Sequence, residues 1–77
     1  MRGPVTKILR NLECGFVLTD NGDEVFFSSY ALDGTAIDQL EVGQWVEFDV
    51  YELEMGWAII ARLRPESSVG IEKSKYA

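Results

Sequence analysis

Two phenylalanines and two cations carry the surface chemistry open to this chain. Phe16 and Phe26 alternate with Val17 and Val25. If Val17, Val25 and Phe27 face a core, the period-two alternation of strands turns Phe16 and Phe26 outward on neighbouring strands. Outward rings are either a stacking surface for unpaired bases or a cross-strand pair that stabilises its own hairpin. A register slip of one residue would exchange the faces. Lys7 and Arg10 lie in or beside the preceding predicted strand, as phosphate contacts or as solvated strand-edge charge. Trp45, Tyr51 and Trp57 form a second aromatic group. Trp45 and Tyr51 share the outward parity of a later strand, and a hairpin turning through residues 52–56 places Trp57 roughly opposite Tyr51. Such a group docks a protein or a displaced nucleic-acid strand, or it packs as cover for one end of the fold.

The composition excludes most other chemistry. The 77 residues include no histidine and a single cysteine, Cys14. This rules out a histidine-based triad, a multi-ligand zinc site and an internal disulfide. Cys14 reads as a small residue filling a strand position and not as a redox handle. The acidic turn Asp20-Asn21-Gly22-Asp23-Glu24 lacks the order and the distant glutamate of a calcium loop. No pair of carboxylates is marked out as acid and base, and there is no glycine-rich phosphate loop. The expectation is a non-enzyme with no catalytic residue, no metal and no cofactor.

Net charge is −6 and the sequence pI about 4.4, which opposes tight non-specific binding to phosphate backbones. The charge is unevenly spread. Arg2, Lys7 and Arg10 accompany the first predicted strand and Arg62 and Arg64 the last, while acids gather at residues 20–24 and 41–54. A local patch, and not the net charge, decides a binding site. The N-terminus has no apolar stretch suited to a signal peptide, and no run approaches the ~20 apolar residues of a membrane span. The expected setting is cytoplasmic, without a membrane partner.

Strand signals dominate the chain. They fall at residues 5–9, 15–19, 24–28, 44–51 and 57–63, with a breaker at Gly3-Pro4 before the first. Asn21-Gly22 supplies the positive φ angles of a tight hairpin between the second and third. Residues 29–39 form a long connection with a short helical turn at Tyr30-Ala31-Leu32. Val46, Phe48 and Val50 alternate with Trp45, Glu47, Asp49 and Tyr51, the pattern of a half-buried strand. The expected core contains Val5, Val17, Val25, Val46, Phe48 and Val50. Residues 1–65 form the domain, and residues 66–77 a flexible tail. Five short strands suit a small barrel, and strand count alone leaves an OB-type and an SH3-like barrel both open.

A family resemblance separates these two. Gly3-x-Val5, Gly15-Phe16-Val17 and Glu24-Val25-Phe26-Phe27 resemble the opening motifs of cold-shock domains. The stretch from Leu40 through Val42-Gly43-Gln44-Trp45-Val46-Glu47-Phe48-Asp49-Val50 is the closest match, and Ala61-Arg62-Leu63 resembles the family's last strand. The resemblance spans roughly residues 3 to 63. It implies an all-β, five-stranded antiparallel OB-fold barrel whose first three strands carry aromatic side chains that stack on single-stranded RNA or DNA.

Much of that aromatic face is missing here. Phe16 and Phe26 are kept. Lys7 stands where the family has tryptophan, Cys14 where it has phenylalanine and Ser28 where it has histidine. Ser29 and Ile37 replace further aromatics, and Leu12 replaces a lysine. Losing even three stacks at the low end of their range removes ~3 kcal/mol, about two decades of affinity. The resemblance therefore implies weak single-stranded RNA or DNA binding through Lys7, Arg10, Phe16, Phe26 and Ser28, by a monomer. The alternative is an OB module that has lost the stacking platform and meets a protein partner through Trp45, Tyr51 and Trp57, or through the face of Cys14 and Ile37.

Overall fold

A computed structural model describes residues 1–66. Five strands, β1 (Arg2–Leu9), β2 (Cys14–Leu18), β3 (Glu24–Ser28), β4 (Trp45–Glu52) and β5 (Ala58–Pro65), close into a barrel in the order β1-β2-β3-β5-β4. This is the small OB-like barrel expected. Its seams are antiparallel except for β3 against β5, which is parallel and registered at Phe26↔Ile59. Short 3-10 turns replace longer helices, including Ser29–Ala31 and Ile37–Gln39 in the long connection.

Closure depends on β1 serving two neighbours. Its first residues pair with β4 (Arg2↔Glu47, Gly3↔Val46, Pro4↔Trp45), and its later ones pair with β2. Gly3-Pro4 thus lies inside a strand and does not precede one. Gly3 fits because a Cβ there would collide with the Leu18 carbonyl. Proline, which lacks a ladder donor, is tolerated where the strand changes partners.

The core follows the expected alternation. Val5, Val17, Val25, Val46 and Phe48 are buried, while Val50 is half-buried and packs against the core from its margin. The largest fully buried side chains are Phe27, Leu40 and Leu63. Leu40 comes from the long connection, which is tied to β5 by the Asp33 amide donating to the Leu63 carbonyl at 2.8 Å.

The β2–β3 turn is wider than the Asn21-Gly22 pair suggested. Thr19 ends the hairpin: its amide donates to the Asp23 carbonyl at 2.8 Å, and its hydroxyl accepts from the Asn21 and Asp23 amides. Of the two turn residues, only Gly22 has a positive φ, 89°. The last strand extends to Pro65. Glu66 is still held, its amide donating to the Trp45 carbonyl at 3.1 Å. The rest of the expected tail, residues 67–77, lies outside the described residues.

Candidate nucleic-acid interface

Strand register brings Lys7, Phe16 and Phe26 into one outward row. Lys7 pairs with Phe16 across β1–β2, and Phe16 pairs with Phe26 across β2–β3. The two rings meet edge to face, with centroids 5.8 Å apart and planes at 70°, a favoured aromatic geometry. The Lys7 Nζ lies 5.7 Å from the Phe16 ring centroid, within cation–π range. Phe16 is half-buried and Phe26 is 37% exposed, so part of each ring remains reachable.

Lys7 reaches this row because β1 carries a bulge. Val5 faces the core opposite Val17, and unbroken alternation would turn Lys7 inward as well. The register shifts between Val5 and Lys7, so Thr6 is the extra residue, Lys7 turns outward and Ile8 turns toward the core. Re-aiming a side chain in this way is a common consequence of a bulge. Thr6 is fixed by its hydroxyl, which donates to Glu24 Oε2 at 2.8 Å.

β5 repeats the device. Asp49 pairs with Arg62 and Val50 with Ile60, which leaves Ala61 as the extra residue. Ile60 is thereby buried, and Ile59 turns outward between Phe26 on β3 and Tyr51 on β4. The outward row therefore continues as Lys7, Phe16, Phe26, Ile59, Tyr51 across all five strands. Ile59 was not singled out in the sequence. Simple alternation back from Leu63 turns it inward, and only the bulge and the parallel seam bring it beside Phe26.

Ser28 and Cys14 pair with each other on the parity of Phe16 and Phe26, as expected. They are not open positions, however. Cys14 is buried, and Ser28 is half-buried with its hydroxyl accepting from the Tyr30 amide at 3.3 Å, where it caps a 3-10 turn.

Arg10 performs an architectural task. Its guanidinium donates to the Ile37 carbonyl at 2.8 Å and to the Leu40 carbonyl at 2.9 Å. It thus clamps the long connection onto the end of β1 and helps seat Leu40. Two charge-assisted bonds hold it in place.

Trp45, Tyr51 and Trp57 do not form one patch. Trp45 and Tyr51 lie toward opposite ends of β4. Tyr51 pairs with Ile59, and Trp57 lies two steps further out, beyond the Glu52–Ala58 pair, its carbonyl accepting from the Leu53 amide at 2.7 Å. Trp57 is 69% exposed beside Asp23 and Glu24 in a shallow cleft of about 400 Å³. Trp45 instead packs beneath Arg2, whose guanidinium carbon is 5.1 Å from the ring centroid. Arg2 also forms an ion pair with Glu66 at 2.6 Å. Arg64 pairs with Glu47 at 3.3 Å, and Arg62 faces Asp49 across the β4–β5 seam.

A scan against known protein-family models finds none that matches this chain. Among the described residues, no group of three or more His, Cys, Asp or Glu side chains could hold a metal ion. No helix among them is long and apolar enough to cross a membrane.

Proposed function

We propose that this chain binds single-stranded nucleic acid weakly, as a divergent cold-shock-like OB domain. The observation that carries this reading is the Lys7–Phe16–Phe26 row: two accessible rings on adjacent strands with an ammonium over one of them. Bases stack on such rings regardless of sequence, at ~1–3 kcal/mol each. Lys7 supplies a charge for phosphate on the same surface. Two rings and one cation cannot produce tight binding, and Glu24, beside Phe26 along β3, opposes phosphate. Low affinity and a shallow salt dependence follow. A cytoplasmic setting suits a chain whose single thiol stays reduced there.

The test is a titration with an oligothymidylate, comparing the natural chain with a Phe16→Ala, Phe26→Ala double variant. Saturable binding that disappears in the folded double variant supports the reading. Unchanged affinity in that variant removes stacking from the account. Absence of binding by the natural chain leaves the protein-interaction module as the better description.

A further inference from the structure

Given single-strand binding at Phe16 and Phe26, on which this inference rests, we propose that the strand continues over Ile59 to Tyr51. Tyr51 is then a further stacking ring, on the far side of the parallel seam. Phe26, Ile59 and Tyr51 are successive in-register neighbours on β3, β5 and β4. In-register neighbours share the outer surface of the barrel, which turns from one strand to the next. Tyr51 is 59% exposed, more than either phenylalanine of the row, and Ile59 offers an apolar bridge between the rings.

Two inter-strand spacings separate Phe26 from Tyr51, about 10 Å between backbones. That is too far for one base to touch both rings, and it suits separate bases of one extended strand. Because barrel strands are tilted by roughly 35–45°, a row perpendicular to them climbs along the barrel axis as it turns. The polar neighbours of Tyr51 define the chemistry at this end. Asp49 precedes it on the same outward face, Glu52 follows it at the end of β4, and Arg62 lies opposite Asp49. Arg62 is exposed and can meet a phosphate, whereas the two acids keep the gain small. The Tyr51 hydroxyl adds a donor that the two phenylalanines lack.

A ligand spanning this row must be longer than one that covers Phe16 and Phe26 alone. The probes are therefore oligothymidylates of about 4 and about 8 nucleotides, within the range an OB fold can accommodate. The natural chain should bind the longer one more tightly. Tyr51→Ala should weaken the longer oligomer roughly five- to tenfold and leave the shorter one unchanged. Tyr51→Phe, which keeps the ring, should retain most of the length advantage. Equal loss on both oligomers, or no loss on the longer one, overturns the extended path while single-strand binding itself stands. If the natural chain binds neither oligomer, single-strand binding fails first and the extension fails with it.

Discussion

Two places on this barrel put a cation over an aromatic ring, and their surroundings give them opposite roles. Arg2 covers Trp45 at 5.1 Å, and Lys7 covers Phe16 at 5.7 Å. Arg2 is also paired with Glu66, and the Glu66 amide donates to the Trp45 carbonyl. That arrangement is closed: cation, ring, carboxylate and backbone hold one another, fastening the start of β1 to the end of β5 across β4. Among the described residues, Lys7 has no carboxylate within salt-bridge distance, and its ring partner leads to a second ring, not to an acid. A cation over a ring is thus a fastener in one place and an open surface in the other. Nearby partners, more than the cation–ring contact itself, separate a closed arrangement from an open one.

Breaking the backbone under the open region should have the largest effect. Gly15 lies beneath it, where a Cβ would collide with the Lys7 carbonyl and come within 2.8 Å of the Phe27 ring. Gly15→Ala should cost about 3 kcal/mol of stability, the overpacking range, read by chemical denaturation. Removing both rings comes next. Phe16→Ala with Phe26→Ala should cost about 2 kcal/mol or more in oligothymidylate affinity, read by titration of the folded variant.

Cutting the Arg10 clamp with Arg10→Ala should lower stability by about 1–2 kcal/mol, because two charge-assisted bonds to the long connection are lost. The comparison between cations is sharpened by salt. Lys7→Gln should reduce the salt slope of binding by about 0.7 unit, whereas Arg2→Gln should leave it unchanged. The smallest effect is expected at the closed end. Arg2→Ala should cost no more than about 1 kcal/mol of stability, since the Arg2 side chain is 59% exposed, and should leave binding intact.

Much of the barrel is legible in the sequence because Val46, Phe48 and Val50 alternate without interruption and the turns carry glycine. Phe16 and Phe26 are legible for the same reason: Val17, Val25 and Phe27 fix their parity. The two bulges are not legible. Nothing in Val5-Thr6-Lys7 or Ile60-Ala61-Arg62 marks the inserted residue, because a bulge is imposed by the partner strand's register and by barrel curvature. Ile59 and the placement of Tyr51 beside the Phe26 row are lost with them. Arg10 and Ser28 have the right residue types for a site, yet their bonds go to the Ile37 and Leu40 carbonyls and to the Tyr30 amide. Such long-range partners depend on the folded path of the connection. Cys14 has the outward parity, but the completed fold buries it.

The most direct measurement is a backbone-amide and indole shift map recorded during titration with oligothymidylate. The two tryptophan indoles and the amides of Lys7, Phe16 and Phe26 report on different parts of the barrel. Saturable shifts at Lys7, Phe16 and Phe26, with the Trp45 indole unmoved, are the predicted result. Shifts centred on Arg2 and Trp45, or none at any of these positions, would contradict the assignment of the Lys7–Phe16–Phe26 row as the binding surface.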